Sequence, residues 1–549
     1  MTDLLSGGVE AAAGLTVYGA NAVDAAAPTP ARPALVAAGV PGLLAAKDPT
    51  LWGPEAEEVA KIRLGWVDTH RRSRELLPKL AELKAELADL THVVLAGMGG
   101  SSLAPEVICR TLGKSLTVLD TTDPHQVGAA LRTDLNRTVV VVSSKSGSTV
   151  ETDSHRRAYW QAFLDAGLTE AEAARHFVVV TDPGSPLEAT ARELGIVVVH
   201  ADAEVGGRYS ALTAFGMVPS ALAGVDVAEL LDQAEGLSAA LGGDEDNPGL
   251  ALGVALGAAA SAGRDKLALV EDGTGIVGLG DWAEQLIAES TGKAGKGILP
   301  VVVEAPDSPG ATGGDVLTST VGGALPAGAV PAGGVRADVA VNGPLGAQFL
   351  TWEYATAIAS KVIGVEPFDQ PNVAESKENT NRILAEGAPD EKPSFTEGPV
   401  RVHAPAEAGG SLPEVLGWLV RQAGGNGYVA VMAYLDRFAD AAAAQTRPLL
   451  AAASGRPVTF GWGPRFLHST GQYHKGGPQV GAFLQITGAV TEDLPVPGRP
   501  YTFGELIAAQ AAGDRQALAK RHRPLVHLHL DDRVAGVAAV LDAARSLRG

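Results

Sequence analysis

Between residues 143 and 149 the chain reads Ser-Ser-Lys-Ser-Gly-Ser-Thr, five hydroxyls and one ammonium in a single short run. A phosphate monoester calls for such a set, because several donors can surround its oxygens and hydrogen bonds to a charged group are the strong ones. Ser144, Lys145, Ser146 and Thr149 are the expected phosphate contacts. The β-branched residues Val139 to Val142 just before them predict a strand buried on both faces. Ser148 and Glu151 have the spacing of a capping box, which predicts a helix starting there and carrying Asp153 to Phe163. A helix N-terminus would add free N–H groups and the positive end of a dipole at the same point. The run also fits a purely local alternative, an ordinary Ser/Gly-rich turn from strand to helix.

A second run of similar character precedes it. Val93 to Ala96 lead into Gly97-Met98-Gly99-Gly100-Ser101-Ser102, and LAPEVICRTL follows as a helix with Pro105 in its first turn. Glycines there let the backbone approach a ligand closely. A dinucleotide fingerprint needs a third glycine where Ser102 stands, which argues against nucleotide binding.

GMGGSS followed by SSKSGSTVET resembles the sugar-isomerase (SIS) domain, and in particular the phosphoglucose isomerase family, whose members interconvert glucose 6-phosphate and fructose 6-phosphate. Three later motifs in the family's order sharpen the likeness: GGRYS at 206–210, WAEQLIAESTGKAGKGILP at 282–300 and FDQPNVAESK at 368–377. The likeness covers most of residues 50–380. It implies that Glu289 carries a proton between C2 and C1 through a cis-enediol, and that Arg208 faces the enediolate. Lys377 would help polarise the ring or C1 oxygen, Gln370 would assist phosphate binding, and Gly100, Ser101 and Gln285 would contact the substrate. The chemistry fits these residue types, since a carboxylate can take a proton and return it, and a fixed cation stabilises developing oxyanion character. Gln285 lies one helical turn before Glu289 on the same face, and Gly292 stops the helix. On local grounds alone the glutamate would be a surface residue, the arginine a salt-bridge partner and the lysine solvent-facing. The resemblance further implies a hexose 6-phosphate substrate, no cofactor, and a homodimer whose site is shared between subunits.

Two other functions stay open at this point. A bifunctional phosphoglucose/phosphomannose isomerase is one, because Gly147 stands where stricter relatives carry an aromatic and could loosen the sugar pocket. The other is a non-catalytic sugar-phosphate-sensing SIS protein, which would keep both loops but lack Glu289, Arg208 and Lys377.

The sequence departs from the family at the ring-opening histidine, which relatives carry between the glutamate and lysine motifs. No histidine occurs from Glu289 to Lys377. The run Gly471-Gln472-Tyr473-His474 echoes the family's glycine-glutamine-histidine run, so His474 is the expected ring-opening acid/base, in its own site or a neighbouring subunit's. A loop histidine that merely caps structure is the alternative, and His468 is the control. His527 and His529 alternate on an expected strand and face one side, a spacing that can bind zinc, but the sequence shows no third ligand and no metal is expected.

The elements that must position these residues alternate. From Thr91 onward VVLAG, LTVLD, VVVVSS, HFVVVT and IVVVHAD are separated by helical stretches, which predicts a parallel doubly wound sheet. LALVEDGTG, ILPVVVEAP and ADVAVNG begin a second such block, broken by the loop at 322–336. The expected fold is α/β: two doubly wound parallel-sheet, SIS-like domains plus a C-terminal α/β extension. Expected boundaries are 1–90 for an N-terminal arm and helices, 91–225 for the first SIS domain with the phosphate loop, 226–399 for the second with the Glu and Lys motifs, and 400–549 for the extension. Residues 1–50, rich in Ala, Gly and Pro, are expected to form an irregular arm wrapped on the body. The extension resembles the tail of isomerases associated with transaldolases.

Composition narrows the partners. With 63 acidic against 43 basic residues the net charge is −20, which argues against nucleic acid or an anionic membrane and requires an anionic substrate to be met by a local cluster of donors. One cysteine, Cys109, excludes an internal disulfide and a cysteine-based zinc site. The first basic residue is Arg32, so no export signal is visible, and the uncharged run 247–263 suits a buried helix better than a membrane span. A cytoplasmic protein is expected.

Overall fold

The computed structural model describes residues 9–10, 12–326, 337–387 and 391–547. Residues 327–336 of the Gly/Pro-rich loop expected at 322–336 lie outside the described residues.

The predicted valine strand forms as Thr138–Ser143, and its side chains divide between two cores. Val139 and Val141 join the main core while Val140 and Val142 join a second cluster on the opposite face, all at 1 % exposure or less. Each such burial is worth about 1.5–3 kcal/mol, which is why an uninterrupted apolar run settles here as a central strand. The sheet around it is parallel, in the order Thr117–Leu119, His92–Gly97, Thr138–Ser143, Phe177–Thr181, Val197–His200. The winding direction reverses between His92–Gly97 and Thr138–Ser143. In an open α/β sheet that reversal opens a crevice at the carboxyl ends of the two strands. Gly97 pairs with Ser143 there, so the GMGGSS and SSKSGST loops leave the sheet side by side.

The second sheet holds Val339–Asn342, Val316–Gly322, Lys266–Glu271 and Leu299–Val303 in parallel. Its other edge is closed by the N-terminal segment, Thr16–Tyr18 and then Val9–Glu10, both antiparallel. The arm expected to be irregular is therefore partly regular: Val17 pairs with Val341 and is fully buried, and helices Ala20–Ala26, Arg32–Ala37 and Val40–Ala45 follow. The uncharged run forms the buried helix Pro248–Ser261. Its glycines bring it against helix Leu345–Ile363; a Cβ on Gly253 would lie 2.7 Å from the Ile358 Cβ.

A third sheet carries Phe395–Glu397, Val400–His403, Leu525–Leu530, Gly481–Gly488, Tyr428–Tyr434 and Val458–Trp462 in that order, parallel from Leu525–Leu530 onward and antiparallel before it. It has its own apolar core. The fold is α/β, with two largely parallel sheets and a C-terminal α/β block.

Candidate active site

The strand-end crevice opens into a cavity of about 690 Å³. Its walls come from the loops after both central strands, the Gly206–Tyr209 turn, helix Leu279–Thr291, the Phe368–Pro371 loop, Lys377 and His468. The first two walls are locked backbone to backbone, since a Cβ on Gly100 would sit 1.8 Å from the Gly207 carbonyl oxygen.

At the centre Arg208 Nη1 lies 2.9 Å from Glu289 Oε2, with the two residues 3 % and 7 % exposed. The same Nη1 donates to Gln370 Oε1 at 2.9 Å, and Nη2 donates to the Asp369 carbonyl at 3.0 Å. Gln285 Nε2 reaches Glu289 Oε2 at 3.4 Å, so the expected shared helical face is present. Among the described residues, buried Gln285 Oε1 and Arg208 Nε have no hydrogen-bond partner, which leaves capacity for a ligand. Lys293, which the sequence reading did not single out, donates to Asp369 Oδ1 and its carbonyl at 2.7 Å and so pins the loop that carries Gln370. Burial holds the Lys293 ammonium below its usual value, helped by the Arg208 charge and opposed by Glu366 and Asp369.

In the hydroxyl-rich loop Ser144 Oγ and Thr149 Oγ1 are 2.9 Å apart, and Gly147 N donates to Ser144 Oγ at 3.1 Å. Ser146 is exposed and bonds Ser148 at 3.0 Å. Lys145 Nζ is 2.6 Å from Asp182 Oδ2; burial lowers its affinity for a proton and Asp182 works the other way. All four expected phosphate contacts line the cavity, as do Gly100, Ser101, Gln285, Gln370 and Lys377. Gly147 does not line it. Its φ of +67° and the Leu187 and Ser185 atoms that a Cβ there would meet within 3 Å show that its small size serves the turn, so the feature that kept the bifunctional alternative open is not a widened cavity wall.

The capping box is not formed. Helix Val150–Asp165 starts after Thr149, with no side-chain cap. Glu151 turns inward instead, where His468 Nε2 lies 3.1 Å from its Oε1 and Gln510 Nε2 donates to the same oxygen at 2.7 Å. Burial works to raise the Glu151 carboxyl, but the hydrogen bond and charge of His468 outweigh it and hold the group at about 2. A carboxylate only accepts, so His468 Nε2 carries a proton and Nδ1 is the nitrogen left for a ligand.

The expectation for His474 is corrected. The Gly471–Gly476 segment forms a short helix that turns this residue onto the third sheet, among the rings of Tyr428, Phe466 and Phe483. At 2 % exposure it is outside the cavity and unavailable to a neighbouring subunit. Burial, with the Lys475 and Arg523 charges, depresses its basicity far below that of a free imidazole. The histidine at the cavity is His468, reserved as the control. No sequence signal favoured it, because its partner Glu151 lies more than 300 positions away and matched a local cap.

Fold and site together define an α/β protein with a buried carboxylate–arginine centre on a cavity that also carries a hydroxyl-rich loop. Residues 82–242 match the family described as phosphoglucose isomerase. A Haloarcula marismortui protein named "Probable glucose-6-phosphate isomerase" is 34 % identical over 224 residues, 39 % of this chain and 50 % of its own length. The glucose-6-phosphate isomerase of Thermus thermophilus is 37 % identical over 173 residues, 31 % of this chain and 41 % of its own. The chain spans about half the length of the curated relatives it matches first. Among solved structures, a hypothetical protein from Thermus thermophilus aligns at a TM-score of 0.55 and 26 % identity over 65 % of this chain and 98 % of its own. A glucose-6-phosphate isomerase from Chlamydia trachomatis shares the fold, with a TM-score of 0.54 and 20 % identity over 68 % of this chain and 88 % of its own.

Proposed function

We propose that this protein interconverts glucose 6-phosphate and fructose 6-phosphate. The observation that carries the reading is the buried Arg208–Glu289 contact of 2.9 Å on a cavity whose opposite wall is the hydroxyl-rich loop. The phosphate is held by Ser144, Ser146, Thr149 and the Val150–Asp165 helix N-terminus, with Lys145 beside it. His468 Nδ1 and Lys377 exchange protons with the ring oxygen and the C1 hydroxyl to open the sugar. Glu289 then takes the C2 proton and the electron pair forms the C1–C2 double bond while the C1 oxygen gains a proton; the same carboxyl then gives its proton to C1 as the C2 hydroxyl loses its own and becomes the carbonyl. Arg208 stabilises the oxyanion character that develops between these two transfers. All of these groups belong to one polypeptide. A homodimer and a cytoplasmic location complete the proposal; among the described residues no helix is long and apolar enough to cross a membrane.

Glu289→Gln keeps the shape of the centre and removes the proton carrier. Turnover should fall at least ~10²-fold with KM little changed, and solvent deuterium should cease to enter at C2. Exchange at near-normal rate in that variant would sink the assignment.

A further inference from the structure

We propose that His403, His527 and Glu391 form a divalent-metal site of the zinc class on the outer part of the third sheet. His403 and His527 face each other across the antiparallel pair Val400–His403 and Leu525–Leu530, with rings stacked at 4.9 Å and 21°. Glu391 comes in from the chain just before Phe395–Glu397, and one ligand atom from each of the three lies within 4.8 Å of the others. Zinc bonds of about 2.0–2.2 Å set tetrahedral donors roughly 3.4 Å apart, so closure asks for a side-chain shift of about an ångström. Glu391 is exposed and free to make it.

The hydroxyl of Thr487 defines which nitrogen of His527 is available. Its Oγ1 lies 2.8 Å from His527 Nε2 and 2.9 Å from His529 Nδ1. A hydroxyl has one proton, so it can accept from His527 Nε2–H while donating to His529 Nδ1. His527 then presents Nδ1 as a bare lone pair. That atom is buried and, among the described residues, without a hydrogen-bond partner, in a residue only 8 % exposed. The opposite arrangement would leave a buried N–H with nothing to donate to. An orphan acceptor beside a second imidazole and a carboxylate, with its far nitrogen fixed by a hydroxyl, is how ligating histidines are oriented.

Arg515 opposes the ion without closing the site. Its Nη2 lies 3.4 Å from Glu391 Oε2, while its Nη1 donates to Gln485 at 2.7 Å. Glu391 also follows helix Val373–Glu386, which carries Lys377. A bound ion would therefore clasp the chain just beyond that helix to the third sheet, a structural role independent of the proposed isomerisation.

The test uses full-length, tag-free protein stripped with EDTA, titrated with Zn²⁺ by calorimetry and with Co²⁺ by visible absorption. The wild type should bind one equivalent at least ~10-fold more tightly than Glu391→Gln or His403→Gln, show a tetrahedral cobalt band, and gain thermal stability with zinc that both variants lose. Arg515→Gln should bind more tightly than the wild type. His527→Asn sits inside a strand and can fail to fold, so the two variants at less buried positions decide the matter. Equal zinc binding by the wild type and both variants, or no cobalt band, overturns the proposal.

Discussion

At the scale of single residues, the difference between His468 and His474 lies in what surrounds each ring. His468 faces the cavity with a carboxylate on one nitrogen, whereas His474 is enclosed by aromatic rings. His468→Asn should lower turnover on the cyclic sugar by ~10²-fold and slow anomerisation with it, the scale of a lost general acid/base. His474→Asn should leave anomerisation intact and cost about 1–3 kcal/mol of stability, because it sets an unpartnered amide in an apolar pocket. Anomerisation rates and chemical denaturation of the pair check this. That Glu289, Arg208 and Lys377 come to one cavity was legible in the sequence because each sits in a dense motif. Glu151 was not: Ser148 and Glu151 have the local spacing of a cap, and only the folded chain shows the carboxylate claimed by His468 and Gln510.

At the scale of elements, helix Phe503–Ala519 supports the cavity indirectly, through Gln510. Gln510 donates to Glu151 at 2.7 Å and accepts from Thr122 Oγ1 at 2.6 Å, so it positions the carboxylate that holds His468. Gln510→Met should lower kcat about tenfold with KM nearly unchanged. Loss of a donor to the charged form raises a carboxyl's pKa, so Glu151 should move up from about 2, and the acid limb of kcat/KM should move to higher pH. A purely structural role for Gln510 would shift the melting temperature and leave that limb in place. The β-rich runs were readable as strands because they are continuous and β-branched. The pairing of Thr16–Tyr18 with Val339–Asn342 was not, since three residues carry no period and their partner is more than 300 positions away.

At the scale of the whole molecule, the third block is bound to the rest by buried charge. Arg465 Nη1 lies 2.6 Å from Glu106 Oε2 and 2.8 Å from Asp120 Oδ2, and Nη2 is 3.6 Å from Asp281 Oδ2 on the helix that carries Glu289. Arg465→Met would take the cation from Asp120 and Asp281 and leave Glu106 to Arg437, 3.0 Å away, and should destabilise the protein by about 3–5 kcal/mol at neutral pH, measured by urea unfolding. The alternation of strand and helix announced three blocks, but it held nothing about which arginine would meet which acid. Such contacts join residues that only the packing of whole layers brings together.

The cavity and the side chains that support it come from early, middle and late chain: Lys145 early, Glu289 near the middle and His468 late line it, with Glu151 and Gln510 behind His468. A ribosome adds roughly 5–20 residues per second, so the hydroxyl-rich loop emerges some tens of seconds before the last of these groups. During that interval a nascent chain would carry the loop proposed to hold the phosphate without the histidine proposed to open the sugar ring. Competence arrives late in synthesis, when the third sheet docks and brings the histidine to a pocket that has been waiting for it.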